Sequence, residues 1–391
     1  MFYIGIDIAK KNHEASIIDS SGKSLSKSIS FSNTIKGLEK FRDFLDYFNL
    51  DINNCIIVME ATGHYWLSLY SFLLELGFNC IVINPIQSEA FRKMYIRQTK
   101  NDAVDSFVIA QIMRFGEYSI SNFSDEDTFA LRNLSRYRFA LVDECSDWKR
   151  KLVAILDQVF PEYSTLFSNI YGVTSKELLS KYPLPEDMLS ISSQELANLL
   201  SKCSKGRFGL KKAEEIQAIA SNSFGIKFAK KSFSFQIKQI INQISFLEDQ
   251  IYEIEEEISF MLNELCPVIT SIIGVGEVLG AAIYSEIGDI SRFEKASQLV
   301  AYAGLDVSVK QSGEFSASNT KISKRGSPYL RRAIWLSATV AAFRDPALSK
   351  YYQGMRDRGK AHGTTIGAVA RKLTNIIFAV LRDNKLYTPN I

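Results

Sequence analysis

Histidine is scarce in this chain: three in 391 residues, His13, His64 and His362. An imidazole-based metal centre is therefore disfavoured. Cysteine is also thin and badly spaced. Cys55, Cys80, Cys145, Cys203 and Cys266 are odd in number and never fall in a CxxC pattern. That disfavours a disulfide framework and a structural zinc. Any metal here would be held by oxygen, which means Mg²⁺ or, as an alternative, Mn²⁺. No apolar run reaches the roughly 18 to 20 residues that a bilayer span needs. The opening MFYIGIDIAKKNHE lacks a signal-peptide layout and puts an acid in its first strand-like run. The expectation is a soluble, cytoplasmic protein with no membrane partner.

What is present is ordinary globular composition: 46% hydrophobic, 23% charged, mean hydropathy −0.02. This excludes a disordered or collagenous chain. At about 150 residues per domain, the length suggests two or three domains. The net charge of +3 hides a split. From Ala301 onward there are 15 Lys and Arg against 5 Asp and Glu, and the first 300 residues hold 31 basic and 38 acidic. A basic C-terminal quarter points to a polyanion partner or, equally, to a solvated basic face.

Three strands open the chain, over Phe2–Ala9, Glu14–Asp19 and a run closing at Phe31, with a Ser21-Gly22 turn between the last two. A helix follows over Thr34–Phe48, then a short apolar strand over Cys55–Met59. A helix over Trp66–Leu76, a strand over Cys80–Ile83 and a last helix over Asp102–Arg114 complete the region. Three meander strands followed by βα units is the order of the RNase H-like fold. From about Leu131 the pattern turns helical, with a mixed, polar insertion at 161–225.

Ile237, Ile244, Ile251, Ile258 and Leu265 then recur every seven residues, with Ile240, Leu247, Ile254 and Met261 at the offset of three. This seam predicts a coiled coil; a long core helix of the same subunit is the alternative. Its partner is either the 131–159 helix or another subunit. After Pro267 comes Gly274-Val275-Gly276, in a hairpin that resembles a helix-hairpin-helix turn or is a plain αα-hairpin. The expected domains are 1–125 (α/β, RuvC-like), 126–266 (helical and coiled-coil) and 267–391 (mostly α-helical).

Four acids stand out. Asp7 lies among apolar neighbours in the first strand, where a carboxylate is costly unless paired or metal-bound. Glu60 sits at a strand's C-terminal end, the edge active sites favour. Asp102 and Asp105 share one helix face, where two like charges repel and a cation would relieve the cost. Together they match a set that binds two Mg²⁺ ions about 4 Å apart for phosphodiester chemistry. Singly each is weak evidence: Asp102 could cap a helix and Asp105 could be a surface acid, which is the commoner reading of an isolated acid. Asp7 in its Gly-Ile-Asp context could also open an actin-like ATPase, but no second, related half follows.

These blocks, with others, resemble the DEDD transposases of the insertion-sequence one-ten type, relatives of the Piv-type DNA invertases. The blocks are Gly5-Ile6-Asp7-Ile8-Ala9-Lys10, Met59-Glu60-Ala61-Thr62-Gly63, Asn84-Pro85 with Phe91, and Lys100-Asn101-Asp102-Ala103-Val104-Asp105. Then come Ile273-Gly274-Val275-Gly276, Phe293, Ala303-Gly304-Leu305, Gln311-Ser312-Gly313, Ile322-Ser323-Lys324-Arg325-Gly326 and Leu330-Arg331-Arg332-Ala333. They are collinear and span nearly the whole chain. Asn101 replaces the family's usual threonine and Ser106 its usual alanine; neither change touches an acid.

The resemblance implies a RuvC-like domain carrying Asp7, Glu60, Asp102 and Asp105, and a C-terminal domain whose nucleophilic serine maps to Ser312. It implies a covalent serine–DNA intermediate and, for at least some members, a structured non-coding guide RNA that pairs with donor and target DNA. It also implies homodimers that assemble into tetramers, with active sites completed between subunits, and a prokaryotic, nucleoid-associated setting. From the residues alone Ser312 is a serine before glycine, which is usually just a turn. Lys310, Lys321, Lys324, Arg325, Arg331 and Arg332 become candidate phosphate contacts, extended by Arg356, Arg358, Lys360, Arg371 and Lys372, with Gly274 and Gly276 as backbone contacts. Tyr65 and Trp66 read as core rather than as base-stacking residues. Two other functions compete: a metal-dependent junction resolvase or nuclease without a covalent intermediate, and a catalytically silent nucleic-acid-binding protein.

Overall fold

The computed structural model describes residues 1–61, 63–93, 101–116, 125–307, 311–312, 315–316 and 321–389; for 86, 311, 312, 315 and 316 it describes the backbone alone. The chain divides into two compact units, Met1–Ser124 and Asp125–Ile391.

The first unit contains β1 (Phe2–Asp7), β2 (Asn12–Ile18), β3 (Ile29–Ser32), α1 (Ile35–Tyr47), β4 (Cys55–Glu60), α2 (Trp66–Glu75), β5 (Cys80–Ile83), α3 (Pro85–Arg92) and α4 (Asp102–Phe115). Its sheet runs β3-β2-β1-β4-β5. β1 pairs antiparallel with β2 and parallel with β4, and β5 extends the parallel half. This is the RNase H-like strand order, reached as the meander and βα pattern predicts.

Side chains alternate across a strand. Ile4 and Ile6 of β1, Ile57 and Met59 of β4, and Val82 of β5 enter one core with Leu38, Phe41, Leu45, Leu69 and Leu73 of the helices. Tyr65 and Trp66 pack against that core, in line with their reading as core residues. The opposite face buries Val58, Ile81 and Ile83 under Val108, Ile109, Ile112 and Met113 of α4. Asp7 and Glu60 share the parity of this second face, so the pleat aims both toward α4.

Gly5 sets how close α4 can come. A Cβ there would lie 2.1 Å from the Ser106 carbonyl oxygen and 2.4 Å from the Ala110 nitrogen. Only glycine lets helix backbone rest on β1 at this point. Ser106 is fully buried, and its hydroxyl lies 2.7 Å from that of Ser16 on β2. The departure from alanine thus has its own partner. Asn101 caps α4, its Oδ1 accepting from the Val104 N–H at 2.8 Å, the task threonine performs equally.

The second unit opens with α5 (Glu126–Val159), followed by α6 (Val173–Lys181), α7 (Pro185–Leu189), α8 (Ser193–Ser204), α9 (Leu210–Ser221) and α10 (Lys230–Leu265). The heptad seam of α10 is taken up by α5 of the same chain. The pair is antiparallel: Arg138 meets Glu255, and further along Lys149 meets Glu248 at 2.6 Å. Ile237, Ile240, Ile244 and Leu247 join a cluster with α6–α9, the region expected as a helical insertion. Ile258 and Leu262 join a second cluster. That cluster is closed by α11 (Glu277–Ile287), α12 (Ala296–Tyr302), α13 (Pro328–Arg344), α14 (Pro346–Asp357) and α15 (His362–Asp383); a short antiparallel pair, β6 (Gln311–Ser312) and β7 (Phe315–Ser316), lies between α12 and α13 in the chain.

Among the described residues one helix, α15, is long and apolar enough to cross a membrane by length and composition. Its Ile366, Val369, Leu373 and Ile377 are instead buried in the C-terminal cluster, which makes it a core helix.

Candidate active site

Asp7 ends β1 and Glu60 ends the adjacent parallel strand β4, one step beyond the Ile6–Met59 register pair. Asp102 and Asp105 occupy the first turn of α4, where the helix dipole favours negative charge. Burial, then the negative charge of Asp105, Asp102 and Glu60, pushes the Asp7 carboxyl up to about 6, with Arg92 pulling the other way. The four acids therefore lie within electrostatic reach at one sheet edge. Two have partners on α3. The Ser88 hydroxyl donates to Glu60 Oε2 at 2.5 Å, and Arg92 Nη2 lies 2.9 Å from Asp105 Oδ1.

A hard divalent cation fits this donor set chemically, since all four are carboxylates. Among the described residues, no three His, Cys, Asp or Glu side chains converge closely enough to enclose an ion as they stand. Ser88, Arg92 and Ser16 were not singled out from sequence. The available signal was the four-residue spacing of Ser88 and Arg92 just after Asn84-Pro85, which places both on one face of α3.

Ser312 ends β6 and registers with Phe315 of β7. Lys310 lies outside the described residues. Val307 and Ile322 pair in an antiparallel bridge that closes a stem, and Ser312 lies between them in the chain. Two motif glycines make the stem. Gly326 has φ +114° and a Cβ there would fall 2.0 Å from the Tyr302 carbonyl; Gly304 has φ +65°. Ser323 donates its backbone N–H to the Asp306 carbonyl at 2.8 Å and its hydroxyl to the Asp306 carboxylate.

Lys321, Lys324 and Arg325 are exposed on this stem. Six of the basic candidates have partners within the second unit. Arg331 donates to the Ala303 carbonyl at 3.3 Å, and Arg371 reaches the Leu305 carbonyl at 3.5 Å, so both brace the Ala303-Gly304-Leu305 turn. Arg332 makes a bidentate pair with Asp143 of α5, both bonds 2.7 Å. Lys372 Nζ stands 4.5 Å over the Tyr351 ring. Arg356 and Arg358 donate to backbone carbonyls of their own helix end, Lys360 and Gly354.

Gly274 has φ +94° and backs onto α13, where a Cβ would sit 2.7 Å from the Ser337 carbonyl. Its requirement is packing. Gly276 is the N-cap of α11 and faces open space. The segment before this turn is a 3₁₀ stretch, Pro267–Ser271, rather than a full helix.

Two family models match the chain. A DEDD-type IS110 transposase model matches residues 4–161, and a model of the transposase IS116/IS110/IS902 family matches residues 266–353. The uncharacterized 43.6 kDa protein of insertion element IS110 from Streptomyces coelicolor is 23% identical, over 98% of this chain and 95% of that protein. The pilin gene-inverting protein of Moraxella bovis is 25% identical, over 100% of this chain and 98% of that one. T. thermophilus RuvC in complex with Holliday junction substrate covers 31% of this chain and 99% of its own, with 12% identity and a TM-score of 0.23. At that score the fold assignment rests on the strand order above.

Proposed function

The chain belongs to the IS110 family of transposases, and from that premise we propose that it excises and inserts its insertion sequence through a covalent serine–DNA intermediate, guided by a bridge RNA. The observation carrying this reading is the gathering of Asp105, Asp102 and Glu60 around Asp7. These four acids would hold Mg²⁺ or Mn²⁺, which when bound offsets phosphate charge and lowers the pKa of a nearby hydroxyl.

Ser312 is the nucleophile. Its Oγ forms a bond to the scissile phosphorus as the bond from phosphorus to a deoxyribose oxygen breaks. The proton lost by the serine balances the one gained by the departing sugar hydroxyl. Attack by the hydroxyl of the incoming strand reverses the step and frees the serine, so the phosphodiester count is unchanged. Lys321, Lys324 and Arg325, with Lys310, contact phosphate and position the nucleic acid without specifying sequence. Donor and target choice falls to RNA pairing. We assign the acid chemistry to 1–125, assembly into dimers and tetramers to the helical region 126–266, and the serine chemistry to 267–391.

The test is to co-express the chain with its native flanking DNA and run a denaturing gel for a DNA–protein adduct. Wild type should give one; Ser312→Ala and Asp102→Ala should abolish both adduct and strand exchange. Strand exchange that survives Ser312→Ala would overturn the serine assignment. Metal-dependent cleavage without an adduct would favour a nuclease using the four acids alone.

A further inference from the structure

Ser88 and Arg92 lie one turn apart on α3, and each takes one acid of the candidate metal site. Ser88 is almost fully buried, with its hydroxyl 2.5 Å from Glu60 Oε2 and the Pro85 carbonyl 2.9 Å away on its other side. Arg92 is mostly buried and places Nη2 2.9 Å from Asp105 Oδ1. Phe91 between them packs into the α4 core and lies 5.3 Å from the Phe115 ring. That contact fixes α3 so that its two polar side chains meet the two carboxylates. Arg92 acts on Asp7 against the three other acids. Its Nε is buried without a hydrogen-bond partner among the described residues, so the guanidinium is engaged along one edge only.

We propose that α3 is a latch on the metal site: Arg92 is a built-in counter-cation that holds Asp105 and gives it up when the divalent ion binds, while Ser88 holds Glu60. This inference rests on the metal reading above. The physical reason is charge. A buried carboxylate needs a counter-charge nearby, and Arg92 supplies one where the divalent ion would supply two. The exchange therefore works against the metal's affinity, and α3 sets how much free cation the site requires.

The experiment is Mn²⁺ titration calorimetry on the full chain, with thermal melts in chelator and in Mn²⁺. Arg92→Gln should bind Mn²⁺ about tenfold more tightly than wild type. It should also melt lower in chelator and gain more from the metal. Ser88→Ala should move affinity the same way by about two- to threefold. Arg92→Lys keeps the charge and should stay within about threefold of wild type, which leaves the proposal testable if Arg92→Gln does not fold. Weaker or unchanged binding by Arg92→Gln would overturn the latch, as would tenfold tighter binding by Arg92→Lys. If wild type and all variants bind no Mn²⁺, the metal reading fails, and the latch with it. If wild type binds and both Arg92→Gln and Ser88→Ala match it, the latch alone fails.

Discussion

The acid edge of the first unit and the serine stem of the second are built by different means. Strand parity and helix phase place the acids. Asp7 and Glu60 end neighbouring parallel strands, Asp102 and Asp105 open one helix, and Gly5 lets that helix lie on β1. The stem instead depends on contacts between residues far apart in the chain. Gly326 sits on the Tyr302 carbonyl, and Arg331 and Arg371 brace the 303–305 turn from α13 and α15. An acid site built from regular elements tolerates change in the residues around it, provided the registers hold. A stem built from tertiary contacts depends on a few fixed residues.

The largest expected effect breaks either half at its glycine. Gly5→Ala would drive a methyl into helix backbone that has no flexible end to move. It should cost about 3 kcal/mol in urea denaturation of the first unit. Gly326→Ala combines φ +114° with a 2.0 Å contact to backbone and should cost a similar amount, about 3 kcal/mol. The two should part on Mn²⁺ binding. Gly5→Ala shifts α4 and should weaken it, whereas Gly326→Ala should not, since none of the four acids lies on the stem. Equal loss of binding in both would erase the distinction drawn here.

That contrast also explains what could be read without coordinates. The strands at Phe2–Asp7, Cys55–Glu60 and Cys80–Ile83 were legible because apolar runs and turn residues mark them. Helix α4 was legible from its paired acids, though its cap is Asn101 rather than Asp102. The seam of α10 was legible as a period, but its partner was not, because a heptad reports the stripe and not what covers it. The basic residues are the least legible. Arg332 and Lys324 look alike as letters, yet Arg332 is paired with Asp143 across 189 positions of chain. Ser88 and Arg92 escaped notice because neither is chemically unusual until a fold brings Glu60 and Asp105 to them.

A smaller effect sharpens the electrostatic side of the comparison. The Asp7 carboxyl stands at about 6 against an ordinary 3.8, so the folded chain holds that proton more tightly than the unfolded chain does. Wild type must therefore lose stability as pH rises from about 4 through about 6, while a residue that cannot ionise loses none. In chelator, Asp7→Asn should melt close to wild type near pH 4. Above pH 6 it should melt higher, on the order of a few degrees after allowing for partial solvent screening. Parallel melting curves for the two proteins across that range would show that neither burial nor the neighbouring acids raise the Asp7 carboxyl.

The smallest effect separates basic residues that are available from those already engaged. Lys324 and Arg325 are exposed on the stem, with Lys324 in a left-handed turn at φ 54°. If they contact phosphate, Lys324→Ala or Arg325→Ala should each reduce the slope of log affinity against log salt by about 1 for a nucleic-acid duplex of arbitrary sequence. Arg332 is tied to Asp143 in a pair more than one-third exposed on both sides. Arg332→Ala should leave the slope unchanged and cost no more than about 1 kcal/mol of stability. The comparison is decisive because all three changes remove one positive charge. A slope that fell equally in all three would mean that net charge governs binding, and that the pairing of Arg332 inside the fold does not withhold it from phosphate.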